Sequence, residues 1–207
     1  MYTKVLNQVP PDYYDKGIKS NLFQWIWHTW KWHSLKSFLK GFDGRILNIG
    51  CADGSLTSKI GSFLPLANLT GVDLYGKAIF YARKKNPRIN FVIADARKLP
   101  FKNGYFDAVI CVETLEHIEN HQLVVGEIYR VLREKGVLIV AQDTNSLLFN
   151  LIWFFWTKWK GKVWEGSHVS CLKPRQLVNL LKKNGFRILA KKMSHFGLEV
   201  MFMAKKR

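Results

Sequence analysis

Residues 45–57 read Arg-Ile-Leu-Asn-Ile-Gly-Cys-Ala-Asp-Gly-Ser-Leu-Thr, a short apolar run that breaks into a glycine-bearing turn and then into residues suited to opening a helix. A strand, a turn and a helix start make the first half of a βαβ unit, and backbone amides at such a turn can cradle a polar ligand. The next apolar run, Asn-Leu-Thr-Gly-Val-Asp, ends at Asp73. A carboxylate at the end of a second strand can accept hydrogen bonds from the two hydroxyls of a ribose. The stretch therefore points to a nucleotide-type cofactor site.

Outward from this unit the same rhythm repeats. Apolar runs at 45–49, 69–73, 90–94, 105–112 and 137–141 predict strands, and 55–63, 76–85 and 122–133 predict the helices between them. Asn86-Pro87 ends one helix, because the residue before a proline is pushed out of the α region. Lys135-Gly136 turns the chain into the fifth strand. A helix at 174–184 and an antiparallel strand pair at 186–192 and 199–204, joined through 194–197 at the sheet edge, complete the pattern. The alternation predicts an α/β fold: a doubly wound, mostly parallel, Rossmann-like sheet of about seven strands with right-handed crossovers. Ligands of such sheets bind beyond the carboxyl ends of the strands, where the strand order reverses. Gly50–Gly54, Asp73, Asp95 with Ala96, and Glu113–His117 all follow strands and are the candidate site residues.

Before the first strand, 21–40 holds no Gly or Pro and places Phe23, Ile26, Trp30, Leu35 and Phe38 at mostly helical spacing, which predicts an amphipathic helix. Ser146–Lys162 is aromatic with a basic end, and its apolar core is too short to span a bilayer. The expected organisation is one domain over 1–207. It comprises an N-terminal aromatic helical cap (1–42), a cofactor-binding core (43–142), an aromatic insertion or cap (143–172) and a C-terminal helix with strands (173–207).

The chain has 207 residues, 32 Lys and Arg against 15 Asp and Glu, and a net charge of +17. That charge attracts nucleic acid, anionic lipid head groups or acidic substrates without choosing among them. Cys51, Cys111 and Cys171 are widely spaced with no Cys-x-x-Cys, which fits reduced thiols. The first residues lack the apolar core of a signal peptide, so a cytoplasmic location is expected. The eight tryptophans fall at 25, 27, 30 and 32 and at 153, 156, 159 and 164, on either side of the core. They can be ordinary helix packing or the walls of an apolar acceptor pocket. Joined to Lys31, Lys36, Lys158, Lys160 and Lys162, they can instead form a peripheral membrane anchor.

Taken together, these segments resemble the class I S-adenosylmethionine-dependent methyltransferases over roughly residues 43–207. Asp-Ala-Arg-Lys-Leu-Pro-Phe at 95–101, the run from Tyr105 through Glu113-Thr114-Leu115-Glu116-His117, and Ile-Tyr-Arg-Val-Leu-Arg-Glu-Lys-Gly-Val-Leu-Ile-Val at 128–140 resemble its small-molecule branch, the methyltransferase type 11 and ubiquinone-pathway O-methyltransferase-like enzymes. The resemblance implies S-adenosylmethionine as cofactor. It places Gly50, Ala52 and Gly54 around its methionine part, Asp73 at the ribose and Asp95 with Ala96 at the adenine, with Asn48, Cys51, Leu74 and Val112 as further cofactor-binding residues. Two positions depart from the family pattern: Asn48 replaces an acid, and Ala52 replaces a second loop glycine. A nicotinamide dehydrogenase expects Gly-x-Gly-x-x-Gly, which Gly50-x-Ala52-x-Gly54 fits poorly.

Methyl transfer from a sulfonium is an in-line displacement, so the protein mainly holds acceptor and methyl about 3–3.5 Å apart and excludes water. Methyltransferases of base or glutamine nitrogens often carry an Asn or Asp followed by Pro-Pro and an aromatic after strand four, and Glu113–His117 differs from that. Glu-x-x-Glu-His resembles a magnesium-binding pattern of quinone-pathway O-methyltransferases and of small-RNA ribose methyltransferases. By that resemblance Glu113, Glu116, His117 and His168 would hold magnesium. In metal-independent members Leu-Glu-His instead caps a helix and lines the pocket. The expectation is methylation of a small-molecule acceptor at an aromatic or lipid-like hydroxyl, with His117, Glu116 and His168 as catalytic residues. An RNA 2′-O-methyltransferase and a noncatalytic binding protein are the alternatives.

Overall fold

A computed structural model describes residues 8–159 and 161–207; Lys160, part of the expected basic rim, and the first seven residues lie outside the described residues. All seven expected strands are present: Ile46–Ile49 (β1), Leu69–Asp73 (β2), Asn90–Ile93 (β3), Phe106–Val112 (β4), Leu132–Asp143 (β5), Phe186–Ser194 (β6) and Glu199–Lys206 (β7). They form one sheet in the order β3-β2-β1-β4-β5-β7-β6. The first five are parallel, while β7 runs antiparallel to both β5 and β6. The order reverses between β1 and β4, which opens a crevice beyond their carboxyl ends.

Every residue of β1 is buried, as both faces of a parallel sheet are covered. Leu47 and Ile49 point into one core with Val109, Cys111, Leu138 and Val140. Ile46 packs in the other with Ile110, Ile139 and Leu35. Ser55–Gly61 (α3 below), Gly76–Lys85 (α4), His121–Val131 (α5) and Pro174–Lys183 (α7) flank the sheet where the spacing predicts them, within a few residues at each end. The helix expected at 21–40 is Leu22–Leu39 (α2), and Asn21 Oδ1 caps it by accepting from the amides of Phe23 and Gln24.

Three boundaries differ from expectation. Tyr13–Ser20, within the polar opening, is a helix (α1). Its eight residues are too few to be helical on propensity, and its order comes from tertiary contacts: Tyr13 and Tyr14 pack on Trp164, and the Asp15 amide donates to Asp53. The fifth strand begins at Leu132, because Leu132 pairs with Phe106 before a register shift carries the ladder to Val137. The aromatic insertion, for which the pattern specified no element, contains a helix, Leu147–Lys158 (α6), capped by Ser146 Oγ accepting from Phe149 N at 3.1 Å. Among the described residues no helix is long and apolar enough to cross a membrane.

Candidate functional site

Two adjoining clefts lie beyond the carboxyl ends of β1, β2 and β4. The first, of about 210 Å³, is lined by Gly50, Asp73, Leu74, Asp95, Ala96 and His117 among others. Gly50 has φ +71°, and a Cβ there would run into Thr114 Oγ1. Gly54 has φ +76°, and a Cβ would sit 2.8 Å from Phe91 Cζ. Both positions therefore require glycine. Ala52 adopts φ +45° without being glycine, a left-handed conformation that costs about 1–2 kcal/mol. Asp73 holds it there: Oδ2 accepts from the Ala52 amide and Oδ1 from the Tyr75 amide, both at 2.8 Å. Burial raises the Asp73 pKa, against the pull of these amides.

Four residues expected at the cofactor line neither cleft. Asn48 is buried and donates from Nδ2 to Thr57 Oγ1 at 2.8 Å, fastening the loop to the first turn of α3. Cys51 packs against Gly71, and burial pushes its thiol pKa well up. Gly54 backs onto Phe91, and Val112 belongs to the core. They shape the cradle from behind. Asp95 lines the cleft in a two-pronged pair with Arg97, at 3.0 Å from Nε and 2.7 Å from Nη2. Arg97, which the sequence pattern did not single out, holds its pKa down.

The second cleft is lined by Tyr13, Tyr14, Ala52, Glu113, His117 and Trp164, among others. Gly50, Asp73, Thr114 and His117 line both clefts, so the two share a wall. Glu113 has φ +48° and turns toward α2, where it accepts from Trp27 Nε1 at 2.6 Å and pairs with Lys31 Nζ. Burial raises its pKa, but Lys31 outweighs it and holds Glu113 at about 2. Lys31 is only 2% exposed, which removes it from any membrane-facing rim.

Glu116, His117 and His168 bring one ligand atom each within 4.8 Å of one another. The three expected catalytic residues thus meet, although His168 comes from a distant segment. Glu116 is buried, and among the described residues neither carboxylate oxygen has a hydrogen-bond partner; burial pushes its pKa up to about 8. His117 Nδ1 lies 2.9 Å from the Ser167 carbonyl, which can only accept, so Nδ1 carries the proton and Nε2 is the basic nitrogen. Burial lowers the pKa of His117 and takes His168 to about 3. His168 stacks on Trp153 at 4.0 Å, and its Nε2 lies 3.6 Å from Asp143 Oδ2.

This donor set does not match the magnesium expectation. Magnesium is held by oxygen ligands, whereas two of the three donors are imidazoles and Glu113 is taken up by Lys31 and Trp27. Behind the cleft, His195 stacks on Trp27 at 3.8 Å and donates from Nε2 to its carbonyl at 2.9 Å. His195 Nδ1 faces the buried Glu199 at 3.1 Å. No spacing in the sequence joins residues 27, 113, 195 and 199.

Residues 47–140 match the methyltransferase domain family. The chain is 27% identical to a demethylmenaquinone methyltransferase of Leptospira interrogans, over 93% of this chain and 88% of that protein. It is 25% identical to a ubiquinone/menaquinone biosynthesis C-methyltransferase of Campylobacter jejuni, over 98% of this chain and 96% of that protein. Among solved structures, magnesium protoporphyrin IX methyltransferase from Synechocystis PCC 6803 superposes with a TM-score of 0.71 at 21% identity, covering 90% of this chain and 88% of that one.

Proposed function

We propose that this chain, an S-adenosylmethionine-dependent methyltransferase through its domain over residues 47–140, methylates a small, lipid-like hydroxyaromatic acceptor in the cytoplasm, at a membrane surface. The observation that carries the reading is His117, a buried imidazole shared by the walls of both clefts and set beside Glu116. The relatives named for quinones support a prenylated naphthoquinol as the first acceptor to try.

Gly50, Ala52 and Asp73 are suited to the methionine and ribose parts of the cofactor, and Asp95 with Ala96 to its adenine end. Gly50 fits this role because a Cβ there would fill the approach to Thr114. When bound, S-adenosylmethionine supplies an electrophilic methyl on a sulfonium. An aromatic acceptor seated in the second cleft, against Tyr14 and Trp164, brings its hydroxyl to His117. His117 is neutral at physiological pH because burial lowers its pKa, so Nε2 can take the hydroxyl proton. Glu116 retains its proton near neutrality, so His117 takes the hydroxyl proton beside an uncharged carboxyl. The resulting phenolate spreads its charge over the oxygen and the ortho ring carbons. The atom held opposite the methyl decides between the O-methylation expected from the sequence and the C-methylation for which the Campylobacter relative is named. No step is routed through a metal.

Calorimetric titration with S-adenosylmethionine and its demethylated product comes first, and absence of binding at millimolar ligand would sink the enzyme reading. Turnover of a prenylated naphthoquinol, with the product located by NMR, should drop about 10²–10⁴-fold in His117→Gln. Undiminished turnover in that variant rejects His117 as base. Insensitivity to chelator is expected, and inhibition by it would reinstate a metal.

A further inference from the structure

α6 is built unlike the other surface helices. In α7, Leu177 and Leu181 are buried while Arg175, Lys182 and Lys183 take the outer face. In α6, Phe149, Trp153 and Trp156 turn inward at helical spacing, stacking on His168 or packing with Trp164. Its outer face is apolar as well: Leu147, Leu148, Leu151, Ile152, Phe154 and Phe155 are all exposed, Leu147 by 91%. A helix apolar all round needs cover on both sides. The inner side packs on His168 and Trp164, and none of the described residues covers the outer side.

A second exposed apolar group lies on the neighbouring turn. Thr144, just before α6, donates from its amide to Leu198 O at 2.9 Å, which fastens the start of α6 to the β6–β7 turn. That turn presents Phe196, 89% exposed and at φ +55°, with its ring against half-exposed Trp30. All of these groups lie at the carboxyl end of the sheet, around the site.

Charge selects what covers this face. From 144 to 164 there is no acidic residue, nor from 16 to 42, and Lys36, Lys158 and Lys162 are exposed along these segments. We propose that α6 and the Phe196 turn dock into the interface of an anionic bilayer, with the helix lying flat and the exposed Lys36 and Lys162 at the head groups, so that the acceptor cleft opens onto the lipid. Twelve residues of helix, about 18 Å, match a helix lying in the surface plane and fall short of a span. Docking explains why one helix has both an inward and an outward apolar side. The substrate route rests on the methyl-transfer reading; the docking does not.

The test is co-sedimentation of the full chain with phosphatidylcholine vesicles and with vesicles in which roughly a third of the lipid is phosphatidylglycerol. Binding to the anionic vesicles at least about tenfold tighter, and weakened by salt, is expected. Leu151→Gln with Phe155→Gln, both on the exposed face, should reduce it about tenfold while leaving cofactor affinity unchanged by calorimetry. A chain that stays in the supernatant with both vesicle types overturns the proposal, as does pelleting indifferent to the double substitution. So does a dimer by analytical ultracentrifugation that the same substitutions dissociate, since a second copy would then be the cover. Unchanged cofactor binding in any of these outcomes separates this proposal from the methyltransferase reading.

Discussion

The two halves of the cleft are built by different physics. The cofactor half is made of backbone: amides of Ala52 and Tyr75 on Asp73, and glycines at positive φ, all contributed by residues close in sequence. The acceptor half is made of buried ionisable and aromatic side chains from α2, the end of β4, the segment at 167–168 and the β6–β7 turn. A backbone cradle tolerates changes on its outside, whereas a buried charge depends on each partner, because an unpaired one costs several kcal/mol. The first half should therefore fail locally and the second globally.

The largest expected effect lies in the acceptor half. Lys31→Met leaves the half-buried Glu113 without its counter-charge and should cost about 3 kcal/mol in urea unfolding. Adding Glu113→Leu should restore most of that loss. A single substitution that is harmless would erase the contrast between the halves.

Next is Asp73→Asn in the cofactor half, which removes a charged acceptor without opening a core. Cofactor affinity should fall by about 2 kcal/mol, roughly thirtyfold, with the melting temperature little changed. A large loss of stability instead would make the cofactor half as globally coupled as its neighbour.

The pH dependence of stability sharpens the comparison further. Glu116 has a folded pKa near 8, above its unfolded value of 4.5, so between these values the folded state binds the extra proton. Its contribution is complete below 4.5 and is lost as pH rises toward 8. Above pH 6.5, where unfolded histidines are largely neutral too, stability should decline by up to about 1.4 kcal/mol per pH unit from this group. Glu116→Gln should flatten that slope in a series of urea melts; an unchanged slope assigns it elsewhere, Asp143 and Asp73 being the other acids that burial raises.

The smallest effect is Ala52→Gly. Relief of the left-handed strain should stabilise the loop by about 1 kcal/mol, seen as a small rise in melting temperature. A fall would mean that Asp73 holds Ala52 without strain.

Legibility in the sequence follows the same division. β1, β2 and the turn between Gly50 and Gly54 were readable because a doubly covered strand must be continuously apolar and a tight turn needs glycine. The clustering of Glu116 with His117 was readable from their adjacency, and His168 only through resemblance. Lys31 reads as a solvated lysine on an aromatic helix, since nothing local says that Glu113 will meet it. Asn48 and Cys51 sit in the turn sequence yet line neither cleft, because a strand and its turn present successive residues to different sides.

By itself the sequence determined the doubly wound sheet, the place of the glycine turn after β1 and the acids after β2 and β3, since local periodicity, glycine geometry and strand order act over short stretches of chain. The tertiary structure alone decided the order β5-β7-β6, the burial of Lys31 with Glu113, the helix at 147–158 and its uncovered apolar face. Burial and charge pairing arise where distant segments pack, and no local pattern encodes what lies across the fold.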